Sequence, residues 1–369
     1  MKHVENRRGE PEPMGFHMPT KVLYGRDVVL KNRELIQNFG ERFLIVTGKS
    51  SKKNGSLEDV LDVLDGKYVA VYDETPENPP TAIVEEIAKM FTDADVVIGI
   101  GGGSPMDTAK AVAVLLENPE LSAQDLYESN KYKKAKPIIC VPTTAGTGSE
   151  VTQYSVLTFN GRKRGFSHEC IFPRVAFVDY KYTLTASEEL TLATALDALA
   201  HAVEGFISLR ATPFSDVLAV ESVKLIKEFL PKVLNDPENE FYRERLMFAS
   251  TLAGMVIAQT GTTIAHALGY NLTTEKNVKH GLATAVFLPF ELKVTNNEKS
   301  KFINELFENS LMGFYEQVGV KLPISFSDEE IESWAKVVLN ASHLKVTPGE
   351  YTLESIKNAY EFVRSNFCI

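Results

Sequence analysis

The first half of the chain carries short apolar runs, each closed by a glycine, a proline or a polar residue. They are Met18-Pro-Thr-Lys-Val-Leu-Tyr-Gly25, Arg42-Phe-Leu-Ile-Val-Thr-Gly48, Tyr68-Val-Ala-Val-Tyr-Asp73, Asp95-Val-Val-Ile-Gly-Ile100 and Pro137-Ile-Ile-Cys-Val-Pro142. Each run predicts a strand, and Arg42 to Gly48, short, apolar and closed by a glycine, predicts one buried in a parallel sheet. Helices are predicted between them, from Leu57, from Thr81 with Ile83, Ile87 and Met90 at helical spacing, and over Ala111 to Leu116. Alternation of this kind gives βαβ units and a parallel sheet with helices on both faces. Tyr154 to Phe159 and Val175 to Asp179 read as further strands, and from Thr185 the pattern turns helical.

Ser187-Glu-Glu-Leu190 reads as an N-cap followed by acidic first-turn residues. Helices are expected near 188–207, 215–229, 241–259 and 262–269, with more beyond Asp328 and turns at Thr212-Pro213 and Asp236-Pro237. The predicted organisation is an α/β domain over 1–183 and an all-helical domain over 184–369. Residues 1–13, polar and bearing Pro11 and Pro13, are expected to be a mobile tail.

At 369 residues the chain is too long for one typical core, and a net charge of -10 argues against a nucleic-acid partner. The N-terminus lacks the apolar core of a signal peptide, and no run is expected to reach the ~18 apolar residues of a membrane helix. Cys140, Cys170 and Cys368 are odd in number and form no C-x-x-C pair, which fits a reducing cytoplasm.

Three stretches carry candidate chemistry. Gly99-Ile-Gly-Gly-Gly-Ser-Pro-Met-Asp-Thr-Ala-Lys110 joins a predicted strand to a predicted helix. Elsewhere G-G-G-S is a flexible loop; here the glycines let backbone amides at a helix start approach a diphosphate. Thr143-Thr-Ala-Gly-Thr-Gly-Ser-Glu150 follows the next strand, so both loops belong on one edge of a cleft. Ala195-Leu-Asp-Ala-Leu-Ala-His-Ala-Val-Glu-Gly205 sets Asp197 and His201 one helical turn apart, as two ligands of one metal ion would be. Taken alone, such a pair reads sooner as a hydrogen-bonded pair in a helical core than as a metal site. His266 and His280, in similar small-residue surroundings, could close a four-ligand site, and structural sites in cytoplasmic proteins favour thiolates over this set.

Together these motifs, Gly101-Gly-Gly-Ser-Pro-Met-Asp107, Pro142 to Glu150, Asp197 to Gly205, and His266 with His280, resemble those of the iron-containing, group III alcohol dehydrogenases. The resemblance implies a dehydroquinate synthase-like architecture: a dinucleotide-binding α/β domain, a helical domain, and a cleft between them for NAD(P) and one divalent metal, usually as a homodimer. It places the metal on Asp197, His201, His266 and His280. Diphosphate contacts fall on Gly101, Gly102, Gly103 and Ser104, and Asp107, which closes the motif, is expected to bind the cofactor as well. Thr143, Thr144 and Thr147 face the nicotinamide side, and Lys163 also contacts the cofactor, although alone it reads as a lysine on a turn.

Two positions depart from the family pattern. Tyr270 stands where many members have a histidine suspected of relaying protons, which makes Tyr270 the candidate catalytic group. Gly48 stands where many NAD-using members have an aspartate. Without that carboxylate, Gly48, Ser50 and Ser51, with Lys49, Lys52 and Lys53, are expected to favour NADP over NAD. The ligand set suits Fe(II), with Zn(II) possible, and leaves a Lewis-acidic ion for a substrate oxygen. The expected reaction is hydride transfer between NAD(P)(H) and a small primary alcohol or diol and its aldehyde. A dehydroquinate synthase-like lyase using NAD transiently and a non-catalytic metal or nucleotide sensor are the alternatives.

Overall fold

The computed structural model describes residues 14–308 and 310–369; the tail expected over 1–13 lies outside them. The main sheet has six strands, β1 (Lys21–Tyr24), β2 (Arg42–Thr47), β3 (Tyr68–Tyr72), β4 (Val96–Gly101), β5 (Ile138–Pro142) and β8 (Val175–Val178). Their order is β1-β8-β5-β4-β2-β3 and every pairing is parallel, from Phe43 opposite Val96 to Gly99 opposite Cys140. All of Val96 to Gly101 and Ile138 to Pro142 is buried, as continuous apolar runs require.

Tyr154–Phe159 is a strand, but it stands outside this sheet. As β6 it pairs antiparallel with β7 (Arg162–Ser167) in a separate hairpin, with Thr158 opposite Lys163. The turn is Asn160-Gly161, both at positive φ, so Lys163 lies on a strand and not on the turn that its local sequence suggests.

The helix after β4 spans Gly103–Glu117 and begins earlier than Ala111, because the loop amides themselves form its first turn. Lys110, fully buried on this helix, donates to Ser149 O at 2.7 Å, Ser149 Oγ at 2.8 Å and Tyr154 O at 2.8 Å. Burial lowers the pKa of that amine, and the convergent acceptors make its placement tolerable. One side chain therefore ties the first loop's helix to the second loop.

The second half is helical. Helix Glu188–Ile207 is capped by Ser187, whose hydroxyl accepts from Leu190 N. Pro213–Asn235 and Glu240–Thr260 pack against it. Ile264–Lys276 extends past the expected end at 269, and His280–Ala285, Leu288–Thr295, Glu298–Leu306 and Leu311–Gln317 fill a region for which no helix was expected. The amphipathic pattern of His280–Ala285 and Ile264–Lys276 is weak because most of the first and much of the second is buried, whereas Glu298–Leu306 buries only Ser300 and Ile303 and was missed although amphipathic. Contrary to the expectation, Glu188–Ile207 is long and apolar enough to span a bilayer, with mean hydropathy 1.3. It is a core helix, with 83% of its apolar window buried.

Candidate metal and cofactor site

Asp197 and His201 leave one face of Glu188–Ile207, His266 lies in the first turn of Ile264–Lys276, and His280 begins His280–Ala285. The Nε2 atoms of His201, His266 and His280 lie 3.9, 3.8 and 3.9 Å from Asp197 Oδ1. Ligand atoms of Asp197, His201 and His266 all fall within 4.8 Å of one another. Two ligands of a tetrahedral ion bound at about 2.1 Å would be ~3.4 Å apart, so a small contraction suffices.

Whether these residues fit a cation is decided by their unmet valences. Asp197 Oδ1 and His266 Nε2 are buried with no hydrogen-bond partner. Burial lowers all three imidazole pKa values, that of His266 to about 4, so the rings are neutral near pH 7 and offer lone pairs instead of hydrogens. A carboxylate facing three neutral nitrogens is a poor hydrogen-bonded core and a good borderline-metal ligand set.

Sequence reasoning missed Glu204, although it is a lone carboxylate one turn beyond His201 in an apolar run. Its Oε1 accepts from Thr263 N at 3.0 Å, Thr263 Oγ1 at 3.0 Å and His266 N at 3.1 Å, and its Oε2 takes the Nδ1 hydrogen of His266. With Glu204 ionised, that bond holds the tautomer in which His266 Nε2 carries the free lone pair. Behind it sits Glu291, fully buried, whose oxygens face Thr263 and the Ile264 and Ala265 amides without a hydrogen bond of good geometry.

The two Gly/Thr loops meet face to face. A Cβ on Gly102 would lie 3.2 Å from Thr144 Oγ1, and one on Gly103 would lie 3.0 Å from Thr147 Cγ2. Thr143 is buried beside them, and Ser104 Oγ accepts from Asn78 N at 3.3 Å. Asp107 is committed elsewhere: Oδ1 accepts from Ser149 Oγ at 2.6 Å and Oδ2 from Val156 N at 2.9 Å, which anchors the hairpin. Lys163, on that hairpin, has its amine lowered to about 8 by burial, opposed by the charges of Asp197 and Asp107. Asp197 of the ligand cluster and Asp107 of the glycine motif are thus the charges that act on it first.

After β2, Gly48 is buried and Lys49, Ser50 and Lys53 are exposed. Ser51 is not available to a ligand, because its buried hydroxyl donates to Gly48 O at 2.9 Å and closes the turn. Lys52 is paired with Asp73. Tyr270 stacks on His280 with ring centroids 5.6 Å apart at 19°, and burial pushes its phenol pKa well up, so it remains protonated. His343 meets the same Tyr270 ring edge-on.

The profile of the iron-containing alcohol dehydrogenases matches residues 19–180, and that of the C-terminal domain of the same family matches 191–363. A solved iron-containing alcohol dehydrogenase from Thermotoga maritima is 48% identical, with a TM-score of 0.92 over 96% of this chain and 100% of that one. The long-chain primary alcohol dehydrogenase of Thermoanaerobacter ethanolicus is 36% identical over 82% of this chain and 77% of its own length. The NAD-dependent methanol dehydrogenase of Bacillus methanolicus is 31% identical over 81% of each chain. With both domains matched, this chain belongs to the iron-containing alcohol dehydrogenase family, metal-dependent oxidoreductases of alcohols and aldehydes built on the dehydroquinate synthase fold.

Proposed function

We propose that the chain interconverts a small primary alcohol or diol with its aldehyde, using NADP(H) in preference to NAD(H). Asp197, His201, His266 and His280 would hold the divalent ion, Fe(II) first and Zn(II) second. The observation that carries this reading is the convergence of three neutral Nε2 atoms on one unpartnered carboxylate oxygen.

Such an ion, when bound, supplies Lewis acidity toward the substrate oxygen, and the nicotinamide supplies or accepts the hydride. The protein's part is placement. The amides of Gly103 and Ser104, at a helix start with no side-chain cap, suit a diphosphate. Thr144 and Thr147, pressed on the glycine loop, would set the nicotinamide end, and Lys163 bridges the cradle and the ligand cluster. Glu204 keeps His266 in the metal-binding tautomer. The lyase and sensor readings gain no support from the family matches.

The NADP preference rests on Gly48, Lys49, Ser50 and Lys53, since Ser51 and Lys52 are engaged within the protein. No carboxylate stands at position 48 to repel a 2′-phosphate, and two free lysines and a hydroxyl stand near it. Free thiols at Cys140, Cys170 and Cys368 suit a cytoplasmic setting.

The test is Fe(II)-reconstituted protein, kept from oxygen, assayed with alcohols and aldehydes by NAD(P)H absorbance. Turnover should require metal and favour NADP by roughly 5- to 150-fold. His266→Ala should lose metal and turnover together while still binding nucleotide. Full activity in metal-free His266→Ala would sink the metal reading, and equal affinity for NAD and NADP would sink the cofactor reading alone.

A further inference from the structure

One imidazole outside the ligand set has no assignment. His343 lies in the short 3-10 turn Ser342–Lys345, far along the chain from the metal ligands. Its ring meets the Tyr270 ring edge-on, with centroids 5.8 Å apart at 75°, and Tyr270 in turn stacks on His280. His343 is thus one aromatic layer from a proposed ligand. Its Nδ1 is shut off from solvent and has no hydrogen-bond partner, a costly arrangement for a ring nitrogen unless something fills it.

The surrounding backbone fixes the turn that carries this imidazole. His343 O accepts from Thr347 Oγ1 at 2.8 Å and from Val346 N at 3.1 Å. Val346 O accepts from Leu209 N at 2.9 Å, just past the end of Glu188–Ile207, the helix that carries Asp197 and His201. The 3-10 turn is therefore fastened to the element that sets two of the ligands. His343 is thus held one aromatic contact from the ring that stacks on a proposed ligand, where a polar ring atom would read a second substituent of a substrate.

We infer that His343 is a specificity-determining residue, hydrogen-bonded through its free ring nitrogen to a hydroxyl carried by the substrate beyond the reacting carbon. The inference rests on the alcohol dehydrogenase reading above and narrows its substrate class to hydroxyl-bearing alcohols and aldehydes. Burial keeps the ring neutral near pH 7, with its pKa lowered to about 4. A neutral imidazole has one donor and one acceptor nitrogen, which matches a hydroxyl, whereas a carboxylate or sulfonate on the substrate would call for a cation. Without its partner hydroxyl, a substrate leaves the nitrogen buried and bare, so the matched mono-alcohol is discriminated against.

The experiment compares ethylene glycol with ethanol, 1,3-propanediol with 1-propanol and 1,4-butanediol with 1-butanol on metal-loaded protein. In wild type, one diol should exceed its mono-alcohol in kcat/KM by about tenfold or more, and the chain length at which it does so locates the nitrogen. His343→Phe keeps the ring and removes both nitrogens; the diol-to-alcohol ratio should fall about tenfold. His343→Gln, which keeps a side-chain donor and acceptor, should recover part of the ratio. A second readout is free of turnover: the 15N resonance of His343 in Zn(II)-loaded protein with NADPH, which cannot oxidise an alcohol, should shift on adding the preferred diol. A wild-type ratio near one at every length, a ratio unmoved in His343→Phe, or an unmoved resonance overturns the inference. Absence of turnover with every alcohol and aldehyde would instead overturn the dehydrogenase reading.

Discussion

Glu204 Oε2 takes the Nδ1 hydrogen of His266, and the opposite nitrogen of the same ring lies 3.8 Å from Asp197 Oδ1. One carboxylate thereby decides which face of the imidazole carries a lone pair toward the other. In Glu204→Gln the amide can offer N–H to Nδ1 and stabilise the wrong tautomer, while the backbone bonds to Thr263 and His266 can be partly kept. Metal affinity is expected to fall about 10- to 100-fold. Competition with a calibrated chelator measures it, and wild-type affinity in the glutamine variant would remove Glu204 from the site.

Gly281 is where the helix bearing His280 presses on the helix bearing Asp197. A Cβ there would lie 1.9 Å from Ala193 O and 2.7 Å from Asp197 Cβ. Gly281→Ala gains about 1 kcal/mol of helix propensity and pays for it with an overlap of roughly 3 kcal/mol, so the clash wins. Urea unfolding should show a loss of about 2 kcal/mol, with reduced metal content because His280 is pushed from Asp197. Unchanged stability and metal content would mean that the two helices separate freely.

The acid sensitivity of the fold has a separable imidazole part. His343, lowered to about 4, stays neutral in the folded chain down to that pH, whereas an unfolded histidine protonates near 6.5. Between about 6.5 and 4 the unfolded chain holds the extra proton, so this group's contribution to stability is lost as pH falls, by at most about 1.4 kcal/mol per pH unit. Glu204, raised to about 7 by burial, and Glu291, also raised, act in the opposite direction, so the total slope is not diagnostic. The difference between wild type and His343→Phe is: the variant should gain on wild type on going from pH 7 to pH 5. Parallel urea midpoints across that range would contradict the shift.

Tyr270 packs its ring on His280 and has a phenol that burial keeps protonated. Tyr270→Phe preserves the stack, so metal affinity should stay within about twofold. If the hydroxyl moves a proton, kcat should fall about a hundredfold across pH 6 to 9, the lower end of the range for general acid–base groups. Unchanged kcat over that range would reduce Tyr270 to a packing residue.

Local chemistry alone determined much of this protein. Runs rich in Val and Ile closed by a glycine, a proline or a polar residue specify strands of a parallel sheet, so β2 to β5 were legible to within a residue or two, including β3, an edge strand with no buried residue. Strand-to-helix position turned a glycine run into a cradle, and helical periodicity put Asp197 and His201 on one face. Contacts between distant segments were not legible. That Asp107 spends its carboxylate on Ser149 and Val156, that Ser51 closes its own turn, and that Tyr154–Phe159 leaves the main sheet depend on partners that no local pattern names. His280–Ala285 escaped because a buried helix loses the polar face that periodicity detects, and Glu298–Leu306 because a nine-residue helix offers only two buried positions to read. Glu204 behind His266 and His343 behind Tyr270 were decided only by packing. A side chain's hydrogen-bond partner is fixed by where two helices cross, and the crossing is a property of the whole core and not of either segment.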